Sequence, residues 1–347
     1  MATTDGIRSF VTLNEFDIDH VHSTDFPGSY HGYDDAWSFA KFTENFRIEI
    51  IKIDGNDMEF DMIGIDAALA NAFRRILLAE VPIMAADKIF IHNNTSIIQS
   101  EVLAHRLGLI PINADPRMFE YRQEEDEDGS DMDTIEFELK VKCSRNTSSS
   151  TDIPDPSEIY KNSKVTTKQL KWLPRGNQAT LHQANPIRPV DEDILIAKLR
   201  PGQAIDLRMH CVKGVGQDHA KFSPVATASY RLLPKIILKK TVRGELAERL
   251  AKCFSPGVIG FKEDEQGEKV AFVEDSRRDT CSREVFRHED LRDAVDLKKV
   301  RDHFIFSVES TGALPPEVLV SEAVKILKAK CQTFLSELDN LGPGGTK

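Results

Sequence analysis

The sequence predicts an α+β fold, and three observations carry that expectation. Alternating apolar residues flank a turn near residue 54, a second alternating run occupies 135–142, and two stretches hold apolar residues at helical spacing. A chain of 347 residues is long enough for about two domains. Forty per cent hydrophobic residues, with 19 Phe among them, supply a sizeable core and argue against wholesale disorder.

Residues 1–39 mix Asp, His, Ser, Gly and aromatics without a sustained period, which reads as an extended arm. Phe46, Ile48 and Ile50 then alternate with Arg47, Glu49 and Ile51, and a second apolar-rich run follows from Met58 to Ile63. Asp54-Gly55-Asn56-Asp57 between them is turn-forming, so the pair predicts a hairpin. Asp66 stands ahead of Leu69, Ala72, Phe73, Ile76 and Leu77, whose spacing is that of one helix face, and Pro82 ends it. Arg74 and Arg75 project away from that stripe.

Further along, Ile135, Phe137, Leu139 and Val141 alternate with Glu136, Glu138, Lys140 and Lys142, the pattern of a strand with one wet face. Upstream of it, Gln123–Asp133 holds seven carboxylates and no base, and self-repulsion makes it a solvated loop. Phe304, Phe306 and Val308 predict another strand. Leu314-Pro315-Pro316-Glu317 then opens a helix, with proline in the first turn and an acid at the positive end of the dipole. Val320, Val324, Leu327, Cys331, Phe334, Leu338 and Leu341 step by four and three until Gly342-Pro343 stops them. The helix spans about 25 residues, or roughly 37 Å at about 1.5 Å each, and a seam along it suits burial in one domain or pairing with another helix.

Composition excludes several function classes. No apolar run approaches the roughly 18 residues of a membrane span, and the first residues lack the layout of a signal peptide, so neither membrane nor secretion is expected. Five cysteines, at least 28 residues apart, fit neither a disulfide framework nor a C-x-x-C metal site. A net charge of −11 argues against a chain that coats phosphate backbones unaided. Removing the seven acids of the 123–133 run leaves −4 on everything else, so a locally basic face near Arg74 and Arg75 stays open as a DNA contact. Catalysis has one candidate, the loop Gly214–Lys221 with two glycines, His219 and Lys221, as a site for a phosphorylated ligand. Its Gly-x-Gly spacing lacks the four residues between glycines that let a P-loop ring phosphates with backbone N–H groups. His210-Cys211 cannot jointly hold a metal on a strand, because neighbours there face opposite ways.

Three segments together carry a family resemblance. Asn71-Ala72-Phe73-Arg74-Arg75-Ile76-Leu77-Leu78-Ala79-Glu80-Val81-Pro82 resembles the first helix of the α-type assembly subunits of multisubunit RNA polymerases. Glu101-Val102-Leu103-Ala104-His105-Arg106-Leu107-Gly108-Leu109-Ile110-Pro111-Ile112 resembles the signature that follows it in archaeal and eukaryotic members. Val308–Glu317 with the long last helix resembles their dimerisation element, and His219-Ala220-Lys221-Phe222-Ser223-Pro224 is similar to another recurring turn. With the arm and Lys252-Cys253-Phe254-Ser255-Pro256-Gly257, the chain is most similar to the larger α-like subunits shared by eukaryotic RNA polymerases I and III.

That resemblance implies a dimerisation domain split into 40–85 and 233–341, a mixed α/β insert at 86–232, and a tail at 342–347. It implies a degenerate ferredoxin-like segment at about 253–287, where Cys253 and Cys281 are too few for a cluster of four thiolates, so no cofactor and no metal is expected. It implies a non-catalytic subunit, nuclear and nucleolar, in ribosomal, 5S and transfer RNA synthesis. A smaller α-like partner would pack on Leu69, Phe73, Ile76, Val320, Val324, Leu327, Cys331, Phe334 and Leu338, in a heterodimer of the kind that often buries more than about 2,000 Å². Arg74, Arg75, His105, Arg106 and Lys221 would lie towards the large catalytic subunits, with DNA met only through the complex.

Overall fold

The computed structural model describes residues 8–21, 36–123, 129–146 and 159–341. In chain order its main elements are β1 (Phe10–Leu13), β2 (Ile18–Asp19), α1 (Phe39–Asn45), β3 (Arg47–Asp54), β4 (Asp57–Ile63), α2 (Ala67–Ala79), β5 (Ile83–Asn94), α3 (Ser100–Gly108), β6 (Thr134–Lys142), β7 (Lys171–Leu173), β8 (Ala204–Gly214), β9 (Val225–Leu238), α4 (Gly244–Lys252), β10 (Ile259–Glu263), β11 (Lys269–Val273), β12 (Val295–Ser310) and α5 (Pro316–Leu341). The mixture of helices and antiparallel strands is the α+β class that periodicity predicts. Two compact units result: Met1–Lys52, Glu59–Asn71 and Ser229–Ser307 in the first; Ile53–Met58, Ala72–Ala228 and Val308–Lys347 in the second.

The first unit is built on a sheet of order β2-β1-β12-β4-β3, with β9 also pairing β12. Residues 10–13 are therefore not an extended arm. Phe10 to Leu13 run antiparallel to Val300 to Leu297, and alternation buries Val11 and Leu13. Of the arm, residues 1–7 and 22–35 lie outside the described residues. The hairpin forms as expected, with Gly55 at φ +59° supplying the left-handed turn residue. Its first strand, an edge of the sheet, is exposed along all eight residues, so the alternation read from sequence buries neither of its faces. Phe60 stacks on Phe306 at 5.2 Å between centroids, and Tyr230 meets Phe304 edge-on at 5.5 Å. A second core gathers Leu250, Val258, Val285, Leu291, Val295 and Leu297 around α4 and the β10–β11 hairpin. An ion cluster ties these parts: Arg277 donates to Glu59 and to both Asp61 oxygens, and His303 Nε2 lies 2.7 Å from Asp61.

The second unit holds an antiparallel sheet of order β7-β6-β8-β5, in which Leu207 opposes Leu139 on one side and Ile91 on the other. One face buries Ile135, Phe137, Leu139, Met209 and Cys211 under Leu103 and Leu107 of α3. The other face is polar but not simply wet. Glu136 is nearly buried because Arg175 and Arg208 approach it at 3.0 and 3.3 Å. Part of the acidic run is also spent structurally. Asp133 is buried and accepts from Ser130 N and Thr134 Oγ1, and Asp131 accepts from Asn177 N, whereas 124–128 lie outside the described residues.

The last helix groups differently from the split-domain expectation, since Val308–Lys347 falls in the same unit as Ala72–Ala228. The reason is local packing. Ala313 joins a cluster with Ile83, Ala85, Val212 and Phe222, Thr311 N donates to Pro224 O, and Lys330 reaches Glu80 at 2.6 Å.

Candidate functional site

Pro316, Leu319 and Ala323, at i, i+3 and i+7, form the face of α5 that its own unit buries, and Ala313 and Leu314 lead into it. The seam read from sequence lies beside that face. Val320 and Leu327 are half-buried, Val324 is exposed, and from Lys328 to Asn340 every residue is exposed. That stretch alone is 13 residues, about 20 Å of helix. Phe334 is 65% exposed, Leu335 60% and Leu338 49%, in a helix whose remaining residues there are polar or small. Large apolar side chains in one row along a helix are what a partner helix covers, not what a finished surface displays. Cys331 is exposed in the same row, while Cys143, Cys211 and Cys253 are buried.

On α2 the expected stripe divides. Asp66 caps the helix by accepting from Ala68 N at 2.7 Å, which fixes the rotation of the first turn. Leu69 is then 44% exposed, but Phe73 and Ile76 are each 3% exposed, because they share the inward face with Ala70 and Leu77. Phe73 and Ile76 are core residues of this chain, and a partner meeting α2 would touch Leu69 and not them.

The residues expected to face large subunits also sort apart. Arg106 donates from Nε to Ile196 O at 3.2 Å and from Nη2 to Leu195 O at 2.7 Å, so its guanidinium anchors α3 within the unit. Arg74 is half-buried and engaged, whereas Arg75 is exposed. His105 and Lys221 come together. They line a cavity of about 210 Å³ with Ala86, Asp87, Ile89, Ala104, Gly108 and His219. Lys221 Nζ lies 2.8 Å from Asp87 Oδ1, and the His105 and His219 rings meet edge-on at 6.0 Å. His219, which sequence reasoning left in a failed phosphate loop, caps the turn at 220–222 by accepting from Lys221 N at Nδ1.

The Gly214–Lys221 loop does not cradle phosphate. A Cβ on Gly214 would stand 2.8 Å from the Phe222 ring, and one on Gly216 would stand 2.3 Å from Leu78 O. Both glycines are there because other groups press against them. Gln217 N donates to Ala79 O, and Lys213 Nζ donates to Phe119 O at 2.9 Å. Burial pushes the Lys213 ammonium below its ordinary value, against the pull of Asp115 and Glu322. His210 and Cys211 face opposite sides of β8, and burial raises the Cys211 thiol to about 12, so it is no nucleophile. Within 253–287, Cys253 Sγ donates to Arg249 O, and burial raises both its thiol and that of Cys281. No group of three or more His, Cys, Asp or Glu poised for a metal occurs among the described residues.

An open apolar helix row following a tightly held turn is the layout of a pairing domain, and residues 59–331 match the model of the RNA polymerase Rpb3/Rpb11 dimerisation domain. The chain belongs to this family. It is 62% identical over 333 residues to a Homo sapiens protein named DNA-directed RNA polymerases I and III subunit RPAC1, covering 96% of each chain. It is 48% identical over 318 residues to the Saccharomyces cerevisiae protein of that name, covering 91% of this chain and 94% of the other. To DNA-directed RNA polymerase II subunit rpb3 of Dictyostelium discoideum it is 33% identical over 304 residues, covering 84% and 94%. Against this dimerisation-domain match, the outer end of the seam, with Phe334, Leu335 and Leu338, lies past the last matched residue.

Proposed function

We propose that this chain is an assembly subunit of the DNA-directed RNA polymerases I and III, pairing with a smaller α-like subunit through the open row of α5. The observation that carries the pairing is the exposed run Val324, Cys331, Phe334 and Leu338, joined by Leu335 and by the half-buried Leu327. Near-full-length relatives named as the subunit of polymerases I and III support the choice of enzyme. Leu69 is the α2 residue placed at the same partner. His105, Lys221 and Arg75 face the large subunits, which carry out RNA synthesis, while this chain contributes position and no catalytic group. DNA is met only through the complex, and the chain works in the nucleus, including the nucleolus. Affinity purification of the tagged chain, with every co-purifying protein identified, tests this. The smaller α-like subunit and the large subunits of both polymerases are expected; recovery of a stable lone monomer would overturn it.

A further inference from the structure

The notch between α3 and the 219–222 turn has a surplus of hydrogen-bond donors. Lys221 N donates to His219 Nδ1 at 3.0 Å, which puts the proton of the neutral ring on Nε2 and leaves that N–H to point elsewhere. Lys221 Nζ has three N–H groups, and one is taken by Asp87 at 2.8 Å. Its side chain is only 15% exposed and also packs over the Phe222 ring at 4.9 Å, so the ammonium is held in place before anything binds. Among the described residues no hydrogen bond uses His219 Nε2 or either ring nitrogen of His105. Beside the notch, Val102 on α3 and Leu109 just past its end are exposed, at i−3 and i+4 from His105.

Resting on the assembly reading above, we propose that this notch receives an Asp or Glu side chain from a large polymerase subunit, in a segment whose apolar neighbours cover Val102 and Leu109. A carboxylate accepts from several donors at once, and Lys221 and His219 Nε2 offer them within one cavity. Nucleic-acid phosphate is the poorer match. Lys221 is the one lysine or arginine lining the cavity, and nothing there forms the spaced track of cations that follows a phosphate backbone.

The test places a photo-reactive benzoylphenylalanine at Val102 of the tagged chain, within intact polymerases I and III, and identifies what it captures. A large-subunit segment with an Asp or Glu within a few residues of the captured position is expected. That segment, made as a peptide, should bind the heterodimer by fluorescence anisotropy. Lys221→Met should weaken it at least tenfold, as should Asp→Asn or Glu→Gln in the peptide, and the combination should cost little more than either alone. His105→Gln, a change at an exposed position, should weaken it several-fold without altering the melting temperature. Capture of nucleic acid, capture of a segment without carboxylates, or unchanged binding by Lys221→Met would overturn the proposal. Failure of the tagged chain to enter polymerases would instead reject the assembly reading, so the two failures are told apart.

Discussion

Phe334→Ala removes the largest exposed side chain on the open row of α5 without removing anything from the core of the lone chain. The ring is 65% exposed. A phenylalanine buries roughly 200 Å² when covered, so about 130 Å² remains for a partner to take from water, worth about 3 kcal/mol at roughly 25 cal/mol per Å². At about 1.4 kcal/mol per tenfold, affinity for the smaller α-like subunit should fall on the order of 100-fold. Ser336→Ala, two residues from both Phe334 and Leu338 and so on the opposite side of the helix from them, serves as the control, with a change of less than about threefold. Isothermal titration of the purified partner into each variant reads both numbers, and thermal melting of each lone chain should agree with wild type within about 1 °C. Equal losses in the two variants, or a Phe334→Ala complex of wild-type affinity, would refute the assignment of this row to the partner.

The exposed Cys331 should react quickly with a maleimide in the lone chain, ahead of the buried thiols, and mass spectrometry should find it protected once the smaller subunit is added. Arg277→Met leaves Asp61, 4% exposed in its side chain, without its main partner, and should cost the first unit about 3 kcal/mol by urea denaturation at pH 7. Burial raises the Asp61 carboxyl, but hydrogen bonds and charges from Arg277 and His303 outweigh it and hold the group below its ordinary 3.8. A depressed carboxylate contributes stability above the unfolded value and loses it as pH falls through the folded one, so the stability gap between wild type and Arg277→Met should narrow below about pH 4. A gap that stays constant with pH would refute that coupling. Gly216→Ala, forcing a methyl group to 2.3 Å from Leu78 O, should destabilise the second unit by about 1–3 kcal/mol, read by thermal melting.

Periodicity alone determined that the chain mixes helices and strands, where the 47–63 hairpin turns, and that the last helix runs from Pro316 to Leu341 with one apolar row. Those features are local: a strand alternates every second residue, a helix every third or fourth, and Asp66, Gly55 and Pro316 mark their ends where they stand in the sequence. Segment resemblance to the family is legible in the sequence, because three motifs in one order are specific even when each alone is not. Tertiary structure decided what each apolar face meets. Leu69, Phe73 and Ile76 look alike on a helical wheel, yet two are core and one is open, since burial depends on residues far away in sequence. The same holds for the glycines of 214–216, which resemble a phosphate loop until Phe222 and Leu78 are seen pressing on them. Arg106 and Lys221 carry the same charge, but backbone carbonyls at 195 and 196 occupy the first, while the second stands in a notch with donors to spare. A sequence lists donors and apolar groups; only the folded chain shows which of them it has already used, because hydrogen bonds and packing are satisfied between residues that the sequence keeps apart.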